Sequence, residues 1–134
     1  MKRIFYIILF FTLFSSCQES LEDRCAREAK EYTEKKCPAQ IDKNIVIDSM
    51  TFDRRTHTLH YFYTINGSVN YQNVVDNQNI YKLLLEQIKN ATSIKAYKDA
   101  GYSFAYTYRS EEGKILFDAL FTVDEYKKKL DIDK

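Results

Sequence analysis

The chain lacks an excess of charge of either sign. Its 134 residues include 20 lysines and arginines against 19 aspartates and glutamates, for a formal net charge of +1. Loss of residues 1–16 would remove Lys2 and Arg3 but no acidic residue, which leaves 18 basic residues against 19 acidic ones. A nucleic-acid-binding domain is expected to concentrate basic residues on one face. The charge balance therefore argues against nucleic acid as a partner.

The chain also lacks an apolar run long enough to cross a bilayer as a helix. Residues 4–14 are apolar apart from Tyr6 and Thr12, whereas a membrane-spanning helix needs about 20 such residues. Two basic residues precede this run, and two serines follow it. A basic start, a short apolar run and small residues before a cleavage site are typical of a secretory signal. We therefore interpret residues 1–16 as a signal peptide.

Cys17 comes directly after the two serines. This arrangement resembles a bacterial lipoprotein signal, in which the cysteine is acylated and becomes the first residue of the mature protein. Phe14 stands where such signals usually have leucine, as in the looser signals of Bacteroidetes-type lipoproteins. The resemblance implies that acyl chains such as palmitate on Cys17 hold the protein to a membrane, since each buried CH₂ group contributes about 0.8 kcal/mol. The alternative is an ordinary cleaved signal followed by an incidental cysteine.

The same resemblance implies an address in the bacterial cell envelope. Gln18, rather than an aspartate, follows the cysteine, which favours the outer membrane and leaves open whether the protein faces the periplasm or the surface. Residues 17–24 are acidic, and we interpret them as a tether. Residues 25–134 are then a single domain, because the mature chain is long enough for one domain and too short for two.

Cysteine is scarce once the signal is removed. Apart from Cys17, only Cys25 and Cys37 remain, and one predicted helix contains the first and ends beside the second. Twelve residues of helix would separate them by roughly 18 Å, whereas a disulfide needs Cα atoms within about 7 Å. We expect no bond between them. A chain of this size buries about two thirds of its surface on folding, so it does not need a disulfide framework.

The sequence contains no convincing set of catalytic or metal-binding residues. His57 and His60 are the only histidines, and their spacing on a strand points them to opposite faces. Cys37 lies at the C-terminal end of a predicted helix, where the helix dipole disfavours the reactive thiolate. Three aspartates fall near one predicted hairpin, but spacing alone does not fix their separation: Asp42, Asp48 and Asp53. We therefore expect no enzymatic activity, no cofactor and no metal.

Hydrophobic periodicity divides the chain into helices and hairpins. Spacings of three and four residues predict helices over residues 21–36 and 78–90, with a short third helix between Ser93 and Gly101. The single proline, Pro38, should end the first helix. Period-two alternation predicts strands, which cover residues 44–53, 57–66 and the hairpin 102–123. A short helix that begins after Thr122 closes the pattern.

The order of these elements is helix, hairpin, helix, hairpin and short helix, which amounts to two αββ units. Antiparallel hairpins with one apolar face commonly form one sheet that helices cover on that face. We therefore predict an α+β fold in which a four-stranded antiparallel sheet carries its helices on one side and ends with a short C-terminal helix.

Three stretches carry a further resemblance. "KKCPAQID" precedes the first predicted hairpin, "LHYFYTIN" lies within it, and "GYSFAYTYRSEEGKILF" forms the second. Together they resemble a family of small bacterial secreted and lipoprotein domains, with a Cys/Leu-Pro-x-x-(Val/Ile)-Asp opening and a Tyr-x-Tyr hairpin. The resemblance covers about residues 25–126. It supports the predicted fold and implies no mechanism.

Tyrosine is the unusual component, with 11 tyrosines against 3 glycines and no tryptophan. One interpretation places these rings on the inner face of the sheet, where Phe104 and Tyr106 should be the most buried residues of their strand. The other treats them as a protein-binding surface, because interfaces use the large rigid area of tyrosine. The candidate binding residues lie on the predicted strands: Tyr61, Tyr63, Tyr102, Tyr106 and Tyr108.

These observations favour a membrane-anchored envelope lipoprotein that binds or inhibits another protein, as an immunity protein does, without enzymatic activity. The alternative is a small envelope hydrolase or ligand-binding domain that uses aspartate and tyrosine side chains. A flat exposed aromatic face would favour the first hypothesis. A pocket lined by convergent polar groups would favour the second.

Overall fold

The first helix, α1, spans Leu21–Lys36 in the computed structural model, which describes residues 18–67 and 77–128. The hydroxyl of Ser20 caps its N-terminus by accepting a hydrogen bond from the backbone N–H of Asp23 at 3.1 Å, as serine commonly does at this position. The helix ends two residues before Pro38, as predicted. Its buried face is narrow and consists of Cys25 and Ala29.

The remaining elements follow in an alternating order. The strands are β1 (Ala39–Asp42), β2 (Ile45–Asp53), β3 (Thr58–Ile65), β4 (Ser103–Ser110) and β5 (Ile115–Phe121). The other helices are α2 (Asn77–Asn90), α3 (Lys95–Asp99) and α4 (Val123–Lys127). Within residues 18–67 and 77–128, no helix combines the length and the apolar character that a bilayer crossing requires.

The sheet differs from the prediction in strand number and in direction. Its five strands lie in the order β1-β2-β3-β4-β5, and β3 pairs with β4 in parallel, whereas we predicted four antiparallel strands. The chain returns from β3 through α2 and α3 before β4 begins, and such a crossover allows neighbouring strands to run in the same direction. β1 escaped prediction because its four residues, Ala39–Asp42, are too few to show an alternation.

The aromatic side of β4 faces the helices, as predicted. Phe104 has 0% of its surface exposed, and it belongs to one buried cluster with helix residues such as Ala29 and Ile88. The predicted ranking along the strand is wrong in one respect, because Tyr102 is 4% exposed and Tyr106 is 7% exposed. Tyr102 precedes β4, and other aromatic rings enclose it there, including His57 at 4.8 Å and Tyr97 at 5.6 Å between ring centroids.

One threonine joins α1 to the part of β2 that does not pair with β1. β1 pairs with β2 only as far as Ile47, so beyond that residue no strand of the described chain lies beside the outer edge of β2. The hydroxyl of Thr33 accepts a hydrogen bond from the N–H of Met50 at 2.8 Å and donates to its carbonyl at 2.9 Å. The helix thus satisfies backbone groups of β2 that would otherwise lack partners.

The N-terminal turn of α1 is docked on the turn between β2 and β3. Asp23 accepts a hydrogen bond from Arg54 at 2.7 Å, and Glu22 contacts Nε2 of His57 at 2.6 Å. Both acidic residues fall in the predicted tether, residues 17–24, and also in the helix predicted from residue 21, and the structure places them in the first turn of that helix. Cys17, the predicted site of lipid attachment, lies outside the described residues.

Candidate functional site

Four tyrosines form a stacked row across the centre of the sheet. Tyr61 and Tyr63 of β3 stand directly beside Tyr106 and Tyr108 of β4. Ring centroids are 4.9 Å apart for Tyr61 and Tyr106, and 4.6 Å apart for Tyr63 and Tyr108. Tyr63 and Tyr106 complete the row at 6.4 Å. We call these four residues the tyrosine row.

The hydroxyls of the tyrosine row have no hydrogen-bond partner among the described residues. Burial raises the pKa of all four phenols, that of Tyr108 to about 12, so each is a neutral hydroxyl at physiological pH. No described side-chain oxygen or nitrogen that is sealed from solvent lacks a hydrogen bond. The four hydroxyls therefore remain open to water or to a bound molecule, which buried polar groups need when the protein offers no partner.

Three residues of the row, Tyr61, Tyr63 and Tyr108, line a gap between the helices. α1 packs on β2 while α2 packs towards β5, so a strip above β3 lies between the two helices. A cavity of about 450 Å³ occupies the strip, with Tyr61 and Tyr63 on the sheet side and Tyr32 and Tyr97 on the helix side.

A second cavity extends the first. Its volume is about 370 Å³, and its lining includes Tyr108 and the α2 residue Leu83. Ile41 and Tyr63 line both cavities, so the two adjoin. Ile41 is 53% exposed and Leu83 is 58% exposed, and they stand at the rims of the gap. We call the two cavities together the tyrosine groove.

One end of the groove carries a fixed charged group. Glu28 accepts hydrogen bonds from the hydroxyl of Tyr97 at 2.6 Å and from Nε of Arg24 at 2.8 Å. Burial opposes ionisation of Glu28, but the two hydrogen bonds hold its pKa below the ordinary value. Cys25 lines the same end, and burial raises the pKa of its thiol to about 12. The groove therefore presents a carboxylate and an unreactive thiol rather than a nucleophile.

The histidines and Cys37 do not form a reactive cluster. Nε2 of His60 lies 2.7 Å from the hydroxyl of Thr107, which donates to Asp118 at 2.9 Å, and this chain lies on the face of the sheet away from the buried cluster. Burial is the main reason that the pKa of His60 is lowered. His57 lies on the opposite face of the sheet, where its Nε2 contacts Glu22 of α1. Cys37 is a free thiol like Cys25, and burial raises its pKa.

Each of the three candidate aspartates accepts a hydrogen bond from a different neighbour, and the three do not face one cleft. Asp42 accepts from the N–H of the next residue at 2.7 Å, and Asp48 accepts from the hydroxyl of Thr64 at 2.6 Å. Asp53 accepts from the backbone of Arg55 at 2.8 Å in the β2–β3 turn, and such backbone hydrogen bonds lower its pKa. Within the described part of the chain, no group of three or more histidine, cysteine, aspartate or glutamate side chains is placed to hold a metal ion.

The structure assigns the candidate tyrosines to different places. Tyr61, Tyr63 and Tyr108 line the groove, and Tyr106 stacks within the row. Tyr102 lies outside the row, beneath α3. Sequence reasoning missed the rim residues Ile41 and Leu83, although an apolar Leu83 beside the buried stripe of α2 was a usable signal.

The hydroxyl of Tyr63 should contribute nothing to stability. Tyr63→Phe removes a group without a described protein partner, so we expect the free energy of unfolding to change by less than about 0.5 kcal/mol. Tyr97→Phe is the matched control, because it removes the hydrogen bond to the Glu28 carboxylate, and we expect it to cost roughly 1–3 kcal/mol. Urea unfolding of both variants measures the difference. Equal losses would mean that the Tyr63 hydroxyl is bound within the fold.

Comparison with known proteins gives a family and a fold. Residues 20–117 match a family described as a domain of unknown function, DUF8479, and the chain belongs to that family. No curated protein sequence matches it.

Three solved structures share the fold. The pilotin EpsS of the type 2 secretion system of Vibrio vulnificus has a TM-score of 0.65 at 10% identity, covering 81% of this chain and 93% of that chain. The type II secretion system pilotin AspS of Vibrio cholerae has a TM-score of 0.60 at 17% identity, covering 78% and 90%. A protein of Pseudomonas aeruginosa described as secreted has a TM-score of 0.64 at 13% identity, covering 81% and 99%. At these identities the likeness establishes the fold alone.

Proposed function

We propose that this member of the DUF8479 family is a lipid-anchored protein of the bacterial cell envelope that binds a segment of another protein in the tyrosine groove and catalyses no reaction. The observation that carries the proposal is the groove itself. It joins exposed apolar rims, Ile41 and Leu83, to a row of aromatic rings whose hydroxyls have no described partner. A protein segment supplies both apolar side chains for the rims and polar groups for the hydroxyls.

The anchor and the domain are close together in this account. α1 begins at Leu21, so residues 18–20 alone separate an acylated Cys17 from the helix. Three extended residues reach about 10 Å. The N-terminal end of α1 is then held next to the outer membrane, and the bound partner is held there with it.

Two of the proteins that share the fold are pilotins of type II secretion systems. They support a role in an envelope assembly more directly than a role as an immunity-like inhibitor. We therefore favour an accessory protein that accompanies a partner protein at the membrane. The hydrolase alternative loses support, because Asp42, Asp48 and Asp53 are used in separate local contacts.

A small-ligand-binding role is the second candidate, because Tyr61, Tyr63 and Tyr108 line two adjoining cavities. A volume of 300–1,000 Å³ is ordinary for such sites, and each cavity falls in that range at about 450 and 370 Å³. The exposed rims favour the protein segment instead, since Ile41 and Leu83 are more than half exposed and exposed apolar side chains beside a groove are typical of protein-interaction sites.

Site-specific photo-crosslinking in living cells tests the proposal. A photoreactive residue is introduced in turn at Ile41, at Leu83 and, as a control, at Lys30 on the outer side of α1. We expect the first two positions to give the same discrete adduct with one protein and the control position to give none. Adducts at all three positions, or at none, would refute a partner in the groove.

A further inference from the structure

The two edges of the sheet are protected unequally. β1 is an edge of four residues that follows Pro38 and contains an irregular register between Gln40 and Asp42. Short length, proline and irregular pairing are common ways to keep an edge strand from pairing with another chain. β1 is therefore a poor template for a further strand.

β5, the opposite edge, has little of this protection. Its seven residues, Ile115–Phe121, contain no proline and one charged side chain, Asp118. Its pairing with β4 is irregular only at the start, beside Arg109, and is regular from Phe117 onwards. Ile115 is 54% exposed and Leu120 is 53% exposed. Among the described residues no strand lies beside the outer edge of β5.

An apolar groove runs along this edge. A cavity of about 490 Å³ lies between β5 and α2, lined by Tyr81, Lys82 and residues 115–118 among others. Tyr81 is held in place, because its hydroxyl donates to Glu125 of α4 at 3.1 Å and its ring lies 4.7 Å from that of Phe121. The Tyr81 side chain, which forms the wall opposite β5, is therefore fixed in position by its contacts.

We propose that an extended segment of another protein docks here as a sixth strand, with its backbone paired to β5 and alternate side chains in the groove beside α2. An exposed edge next to an apolar groove is the arrangement in which strand addition provides affinity through the backbone and specificity through alternate side chains. We call this location the β5 edge site.

The charge of Asp118 indicates the kind of segment that fits. Asp118 is exposed, and it accepts a hydrogen bond from Thr107, but no lysine or arginine of the described residues forms an ion pair with it. An opposite charge directly across two strands stabilises their pairing, and a like charge destabilises it. The docking segment therefore carries a lysine or arginine opposite Asp118.

The same carboxylate argues against a second copy of this chain as the occupant. Antiparallel self-pairing centred on β5 would place Asp118 opposite Asp118, which is the unfavourable arrangement. If the centre of the pairing moved by one residue, Asp118 would stand opposite Leu116 or Leu120, and its charge would have no opposite partner. A foreign strand with a basic residue meets neither difficulty.

The β5 edge site is independent of the tyrosine groove. α2 separates the two, since Leu83 lines one and Tyr81 lines the other. A substitution that disables one site should therefore leave binding at the other site measurable.

Amide hydrogen exchange of the full acylated protein in detergent tests the site. The probe is a nine-residue peptide of alternating valine and threonine with a central lysine. The controls are the same peptide with a central glutamate and two versions N-methylated at alternate amides in either phase. We expect the lysine peptide to slow exchange along β5 by about tenfold or more, and at least one methylated version to have no effect. Asp118→Lys should reverse the preference in favour of the glutamate peptide.

Three outcomes would overturn the proposal. Slow exchange without peptide of the β5 amides that point away from β4 would mean that the edge is already covered. Slowing that grows with protein concentration alone would identify a second copy as the occupant. Equal slowing by the lysine peptide and both methylated versions would exclude strand pairing.

Discussion

Phe104→Ala should lower the free energy of unfolding by roughly 3–5 kcal/mol. The side chain is completely buried, it stands opposite Phe121 on β5, and it meets the edge of the Tyr126 ring with centroids 5.7 Å apart. Truncation removes the apolar contact area and leaves a cavity that the surrounding strands and helices cannot fill. Such a loss is a large share of the total stability of a small domain.

Phe62→Ala is the matched control for this prediction. Phe62 is a neighbouring aromatic residue on β3 whose ring stacks on His60 with centroids 4.0 Å apart, and it is only partly buried on the uncovered face. We expect the loss in the control to be less than half that of Phe104→Ala. Urea midpoints give the comparison, and a wild-type midpoint for Phe104→Ala would contradict the assignment of the core.

Cys17→Ser should either release the protein from the membrane or leave its precursor uncleaved. In our account acylated Cys17 is the anchor, and several acyl chains at about 0.8 kcal/mol per buried CH₂ group supply the binding. We expect the variant either to appear in the soluble envelope fraction or to accumulate as an uncleaved precursor, because the signal enzyme recognises the cysteine.

Cys37→Ser is the control, since it also removes one thiol but leaves the anchor intact, and it should fractionate like the wild type. Fractionation of envelopes followed by mass analysis of the N-terminus measures both processing and acylation. Normal processing and unchanged membrane association of Cys17→Ser would refute the lipoprotein interpretation.

The local elements could be predicted because their signals are local. Ser20 and Pro38 bound α1 through capping and through the backbone restriction of proline. The β4–β5 hairpin carries an unbroken alternation in which Phe104 and Phe121 fall on the buried side. In each case neighbouring residues contain all the information that the element needs.

The sheet order could not be predicted because it depends on distant partners. Parallel pairing of β3 with β4 is decided by how α2 and α3 return across the sheet, and no residue near either strand encodes it. β1 forms because β2 offers an edge, and its own four residues do not predict it.

Of the candidate site, the sequence predicted the shared face of the tyrosines but not the gap between the helices. Alternation placed Tyr61 and Tyr63 on one face of a strand, and that face lines the groove. It could not show that α1 and α2 leave a gap above them, since the gap depends on helix spacing. Ile41, Leu83 and Tyr97 enter the site from three separate elements, so only the folded chain brings them together.

The affinity of the partner segment for a rim variant tests the central claim most directly. The segment identified by crosslinking at Ile41 and Leu83 is titrated calorimetrically against Leu83→Asp, with Leu120→Asp as a control of similar exposure on β5. We predict that Leu83→Asp weakens binding by about tenfold or more, which corresponds to about 1.4 kcal/mol, while its urea midpoint stays at the wild-type value. Leu120→Asp should bind that segment as the wild type does. Wild-type affinity for Leu83→Asp, or an equal loss in both variants, would contradict the assignment of the tyrosine groove as the binding site.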